Sequence, residues 1–161
     1  MPWSHIVEAA LIGGIVASLT DWLFAGDWLK AFYNKHPEVW RFVGGKGEGV
    51  AIAWSSPMPF LTCAVFACVY ARLRLHTMSG ALKLAAALWV MIPLPLMITN
   101  ALFIKLHPVV TLSHATGWLV KLAVAGVAAV QTPNAVPIER CPVGMLSITI
   151  AIVTVPSWAL R

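Results

Sequence analysis

Apolar residues in this chain neither alternate nor recur on a single helical face; they persist in long runs separated by short polar links. An α-helix rises ~1.5 Å per residue, so about 20 apolar residues cross the ~30 Å hydrocarbon layer of a bilayer. Four runs reach that length: His5–Phe24, Gly49–Ala71, Ala81–Phe103 and Val109–Val130. A fifth, Val143–Leu160, is barely long enough; it is rich in β-branched residues, carries Ser147, Thr149 and Thr154, and contains Pro156. The first run holds Glu8 and Asp21 and lacks a basic leader, unlike a cleavable signal peptide. The pattern predicts an all-α integral membrane protein. Residues 1–161 form one transmembrane domain, a bundle of four helices to which 143–160 could add a fifth.

The stretch Asp27–Glu48, between the first two runs, has a different texture. Trp28, Phe32, Tyr33, Trp40 and Phe42 are interleaved with Lys30, Lys35, Glu38, Arg41 and Lys46. Trp28, Phe32 and Tyr33 share one face at helical spacing, and Pro37 ends or restarts that helix. Trp and Tyr favour the headgroup layer, where basic side chains reach phosphates. The expectation is an interfacial amphipathic segment, anchored by Trp28, Phe32, Tyr33 and Trp40, lying on one membrane surface.

Composition excludes the alternatives. Of 161 residues, 60% are apolar and 11% charged, against ~45–50% and ~25% in soluble domains. Eleven basic and six acidic side chains are too few for a charged shell. The isoelectric point near 9.5 does not signal nucleic-acid binding, because the basic residues are scattered singly. Cys63 and Cys68 lie ~140° apart on a helix, and Cys141 stands alone in a Pro-rich stretch. No zinc-type Cys/His spacing occurs, so neither metal nor cofactor is expected. Catalytic signatures are missing too: there is no G-x-S-x-G, no H-E-x-x-H and no phosphate loop.

Each middle run contains a P-x-P, Pro57-Met58-Pro59 and Pro93-Leu94-Pro95. A hairpin turning near His76 would set Pro57 level with Pro95 and Pro59 with Pro93. Each interior proline removes a donor and frees the carbonyl four residues earlier. Broken backbone survives in a membrane only where protein packs it or a cavity solvates it, and paired breaks point to a midplane site. Ser55, Ser56 and Asn100 fall near that height, as do Asp21 and His114. Lys121 lies near the middle of the fourth run, where a lysine costs ~2.5–3.5 kcal/mol unless it faces the bundle interior.

Ala10, Gly14, Ser18 and Asp21 make a small, polar face suited to close helix contact. His114 and Lys121 share a face with Gly117, Ala125 and Ala129. Counting depth from the span ends pairs Asp21 with His114 and leaves Glu8 nearer Lys121. An Asp–His pair can relay protons or hold a cation; equally, a buried pair can simply fix helix register.

The chain resembles the small bacterial membrane proteins of domain of unknown function family 1761. The resemblance lies in Ser18–Trp28, where a small-residue span runs into Trp22-Leu23-Phe24 and then Trp28. It continues in Leu112–Val130, with His114-Ala115-Thr116-Gly117-Trp118-Leu119 and later Gly126. It covers roughly residues 7–130 and implies a compact bundle of about four helices in the bacterial inner membrane, with no assigned activity. Asp21 departs from the uncharged residue usual before that Trp, and the tail from Gln131 is unlike the family.

Two functions fit. One is a small multi-pass membrane protein that binds or transports a solute or ion through a cavity lined by Asp21, Ser55, Ser56, Asn100, His114 and Lys121, beside the Pro57, Pro59, Pro93 and Pro95 breaks. The other is a structural or accessory subunit of a larger membrane complex. In either case the partners expected are the lipid bilayer and further copies of the chain or a larger assembly, not nucleic acid.

Overall fold

A computed structural model describes residues 3–24, 29–36, 47–103 and 107–131. Seven helices are present among them: α1 (Trp3–Asp21), α2 (Leu29–Lys35), α3 (Glu48–Ser55), α4 (Met58–Arg72), α5 (Met78–Met91), α6 (Pro93–Phe103) and α7 (Pro108–Gln131). No strand occurs among the described residues. They combine into four stretches long and apolar enough to cross a membrane: Ile6–Lys35, Glu48–Arg72, Met78–Phe103 and Pro108–Gln131. Three of these match the apolar runs of the sequence closely. The first does not, because it continues past Phe24 to Lys35. Phe32 and Tyr33 lie on α2, which the candidate first span Ile6–Lys35 includes. Trp28, Trp40 and the fifth run lie outside the described residues.

Prolines set the internal breaks. Pro57 follows α3 with its backbone still near helical (φ −76°, ψ −13°), and the Leu61 N–H donates to its carbonyl at 3.0 Å. On the other side Ile92 turns to φ −121°, ψ −71°, Pro93 opens α6, and the Leu96 N–H donates to the Ile92 carbonyl at 3.3 Å. Both helices resume at once, so these are kinks. The link between α4 and α5 is a Schellman turn: Arg74 takes a left-handed φ of 52°, with N–H donors of Arg74 and Leu75 on the carbonyls of Ala71 and Tyr70. Thr77 then caps α5 by accepting the Gly80 N–H at 3.1 Å.

The bundle is organised around α7, which packs against α1, α4, α5 and α6. Small residues make this possible: Ala9 and Ala17 of α1, Cys63 and Ala67 of α4, Ala81 and Ala85 of α5, and Ala125 and Ala129 of α7 share one core. Without a solvent-driven force between helices in lipid, such close backbone approach supplies the packing energy. The buried stripe of α1 is Ile6, Ala9, Gly13 and Ala17, with Gly14 beside it. It is rotated by one residue from the Ala10–Gly14–Ser18 face read from the sequence. Ser18 is half-buried and donates its hydroxyl to the Gly14 carbonyl at 2.7 Å, so its own helix satisfies it.

Gly126 illustrates how much tolerance this packing leaves. A Cβ there would meet the Ala81 carbonyl oxygen at 3.4 Å, ordinary contact. Gly126→Ala is expected to change stability by less than ~1 kcal/mol, the helix propensity gained offsetting minor crowding. Reversible unfolding in mixed detergent micelles reads this directly; a loss well beyond that range would show the α5–α7 contact tighter than described.

Candidate functional site

The long first span and α7 run antiparallel in a single register. Gly13 faces Ala128, Phe24 faces Gly117, Asp21 faces Lys121 and His36 faces His107. Each step along α1 and α2 is matched by one step back along α7, with a drift of no more than about two residues from end to end. A seam thus forms on α7 in which His107, His114 and Lys121 recur at i, i+7 and i+14.

At the middle of this seam Lys121 Nζ lies 2.7 Å from Asp21 Oδ2. The lysine side chain is 9% exposed and the carboxylate 37%, so the pair is enclosed on the lysine side and open on the aspartate side. The ammonium also sits 4.3 Å from the centroid of the Trp118 ring, whose negative face favours a cation. Asp21 and Lys121 are near the midpoints of Ile6–Lys35 and Pro108–Gln131, which puts the pair at mid-depth of the bundle. Just beyond Asp21 the helix widens into a π turn over residues 22–24, a deviation that often marks functional sites.

This geometry corrects the Asp21–His114 pairing. Counted from a run ending at Phe24, Asp21 sits near a span end; in Ile6–Lys35 it is near the middle, level with Lys121. His114 lies two turns away on the same seam and is exposed. Glu8 is exposed near the start of α1.

The remaining residues of the expected cavity do not assemble around that pair. Ser55 and Ser56 are exposed, and both hydroxyls donate to the Ile52 carbonyl, at 3.0 and 2.7 Å. Asn100 is half-buried on α6. Nor are the proline breaks level. Phe60 packs on Gly14, and Gly13 beside it meets Ala128, so Pro57 projects on α7 a little before Ala128. Trp89 Nε1–H donates to the Ala115 carbonyl at 2.8 Å, so Pro93 projects near or before Ala115. The breaks are separated by roughly 15 Å along α7, flanking the ion pair rather than meeting. Pro59 and Pro93 are buried, Pro57 and Pro95 exposed.

One cluster escaped the sequence reading. Phe32 lies 4.7 Å from both His36 and His107, ring centroid to centroid, and the two histidines stack at 6.1 Å with planes 22° apart. His107 also caps α7: its Nδ1 accepts the Val109 N–H at 3.2 Å and its carbonyl accepts the Val110 and Thr111 N–H groups. Pro108 follows at the first helical position, where its missing N–H is harmless. The heptad recurrence of His107, His114 and Lys121 was the available signal. Two buried hydroxyls near the same end of α7, those of Thr111 and Ser113, have no hydrogen-bond partner, and Ser113 is 1% exposed. Among the described residues no three His, Cys, Asp or Glu side chains gather as a metal site would require.

Searches with protein-family models, curated proteins and solved structures find no match to this chain.

Proposed function

We propose that this chain is a small multi-pass membrane protein that binds an ion or small polar solute at an intramembrane site centred on Asp21 and Lys121. The observation that carries the reading is the asymmetry of the pair. A charge pair that only locks helix register gains nothing from an open flank, whereas Asp21 keeps 37% of its side chain exposed while Lys121 is enclosed. Ionisable residues held at this depth are costly and are retained chiefly for ion pathways, proton relays and ligand counter-charges. Lys121, itself seated over the Trp118 ring, holds the carboxylate in place and leaves its outer edge for a ligand. His114 brings a second titratable group onto the same seam. Four helices enclose little room, so we take the working unit to be an oligomer in a cell membrane.

Reconstitution into vesicles tests this. Asp21→Asn keeps the shape of the side chain and a hydrogen bond to Lys121 but removes the charge. Uptake of protons or small cations, followed with trapped indicator dyes, is expected to fall at least tenfold in folded Asp21→Asn protein. Undiminished uptake in that variant would remove the site. If the wild-type protein itself moves nothing and the variant only melts earlier, the pair fixes helix register and the accessory-subunit reading takes its place.

A further inference from the structure

We propose that the open edge of Asp21 takes a lipophilic organic cation, and that this ligand arrives through the bilayer. The inference rests on the function proposed above, an ion site centred on Asp21 and Lys121. It adds the chemical class of a ligand and the side from which it comes. The pair itself gives the sign. Lys121 is enclosed and bonded to Oδ2 of the carboxylate, so the charge turned outward is negative. An anion meets that carboxylate before it meets the ammonium, whereas a cation finds 37% of the aspartate side chain exposed.

The surroundings of the open edge select among cations. Leu19, Trp22 and Leu23, on either side of Asp21 in the chain, are 61%, 64% and 56% exposed. Side chains on the outside of a spanning helix face hydrocarbon. The Thr20 hydroxyl is turned onto its own helix, donating to the Ala17 carbonyl at 2.8 Å. A hydrated inorganic ion would have to shed its water against these apolar side chains, at heavy cost. A cation whose charge lies beneath alkyl or aryl groups holds little water and dissolves in the layer that this surface faces.

Aromatic rings supply the other half of the site. Asp21 is level with Lys121 and Phe24 with Gly117, so Trp22, Phe24 and Trp118 all lie within about one turn of the carboxylate in depth. The face of an indole attracts organic cations, and Trp118 already carries Lys121 Nζ at 4.3 Å from its centroid. Trp22 is the most exposed of the three. Tryptophan on a spanning helix favours the headgroup layer; one exposed beside a mid-depth ion pair is out of that place, and a wall for a cation accounts for it. The π turn over residues 22–24 starts at the same ring. Binding leaves the ion pair intact. The cation takes the outer edge of the carboxylate, while Lys121 keeps its bond to Oδ2 and its seat over Trp118. It enters and leaves by the same lipid-facing side, so nothing has to be carried deeper into the bundle.

Equilibrium dialysis of labelled tetraphenylphosphonium against full-length protein in non-ionic detergent tests this without any transport. Tetraphenylborate, of nearly the same shape and opposite charge, is the control. The wild-type protein is expected to bind the phosphonium saturably and at least tenfold more tightly than the borate. Asp21→Asn is expected to weaken phosphonium binding at least tenfold. Trp22→Ala, at an exposed position, is expected to weaken it about fivefold, with Trp22→Phe retaining most of the affinity. Trp54→Ala, which removes an exposed ring on α3, is expected to leave it unchanged. Equal binding of phosphonium and borate overturns the proposal. So does phosphonium binding that survives either Asp21→Asn or Trp22→Ala undiminished, the second deciding if the first fails to fold. Small-cation uptake that still depends on Asp21 would then leave the ion site standing with a different ligand; if neither depends on Asp21, both readings fall.

Discussion

Asp21→Ala is expected to destabilise the folded bundle by about 3 kcal/mol, and Lys121→Met in the same chain to recover most of that loss. The asymmetry follows from burial. Removing Asp21 strands an ammonium whose side chain is 9% exposed, with the Trp118 ring still against it. Breaking a buried pair from one side costs ~3–5 kcal/mol, and the ring returns ~1 kcal/mol of that. Lys121→Met alone is milder, about 1 kcal/mol. The carboxylate it leaves is 37% exposed and can be solvated or take a proton. With both charges gone, a methionine fills the lysine stem's volume without a desolvation penalty, and such replacements are often neutral. A double-mutant cycle by reversible unfolding in mixed micelles gives the coupling. Additive losses would show that the two side chains do not stabilise one another.

The second large effect belongs to packing. A Cβ on Gly14 would lie 2.3 Å from Phe60 Cδ1 and 2.6 Å from its Cγ. The Cγ atom is at the root of the ring, so swinging the side chain cannot clear the clash, and α1 and α4 must separate. Gly14→Val is expected to cost about 3 kcal/mol, at the upper end of what overpacking does. Phe60→Ala alone leaves a cavity and costs a similar amount. Combined with Gly14→Val, much of the missing volume is refilled, and the double variant is expected to be more stable than either single one. Thermal melting in detergent shows the order directly. A Gly14→Val protein as stable as the wild type would mean that the ring does not lie against this glycine.

Hydropathy exposed the three later spans because Lys83 and Lys121 are too few to offset the apolar count: Gly49–Ala71 became Glu48–Arg72, and Val109–Val130 became Pro108–Gln131. The first run, His5–Phe24, is shorter than the candidate span Ile6–Lys35, because Asp21 and Asp27 lower the apolar count there. Depth counted from Phe24 pairs Asp21 with His114 and leaves Lys121 to Glu8, whereas Lys121 lies 2.7 Å from Asp21, a hundred residues away in the chain. The Pro-x-Pro symmetry misled for a related reason. Equal distance from a turn implies equal height only when the two helices run straight beside each other, whereas α4 and α5 each pack against α7. The sequence did point to Lys121 as an inward-facing residue and to small residues as the packing surface. It could not give the rotation of α1, since adjacent residues in an Ala/Gly-rich helix are equally small.

The position of α7 also bears on how the protein is made. It follows the other six described helices along the chain, yet it holds α1, α4, α5 and α6 together. Asp21 leaves the ribosome about a hundred residues before Lys121, a delay on the order of ten seconds at ordinary rates of synthesis. During that interval the first span must reside at the membrane without its counter-ion, and the later helices without their common partner. The α1–α4 contact can form before α7 exists, but α5 and α6 join that pair through α7, so assembly of the bundle is completed only when the last described helix arrives.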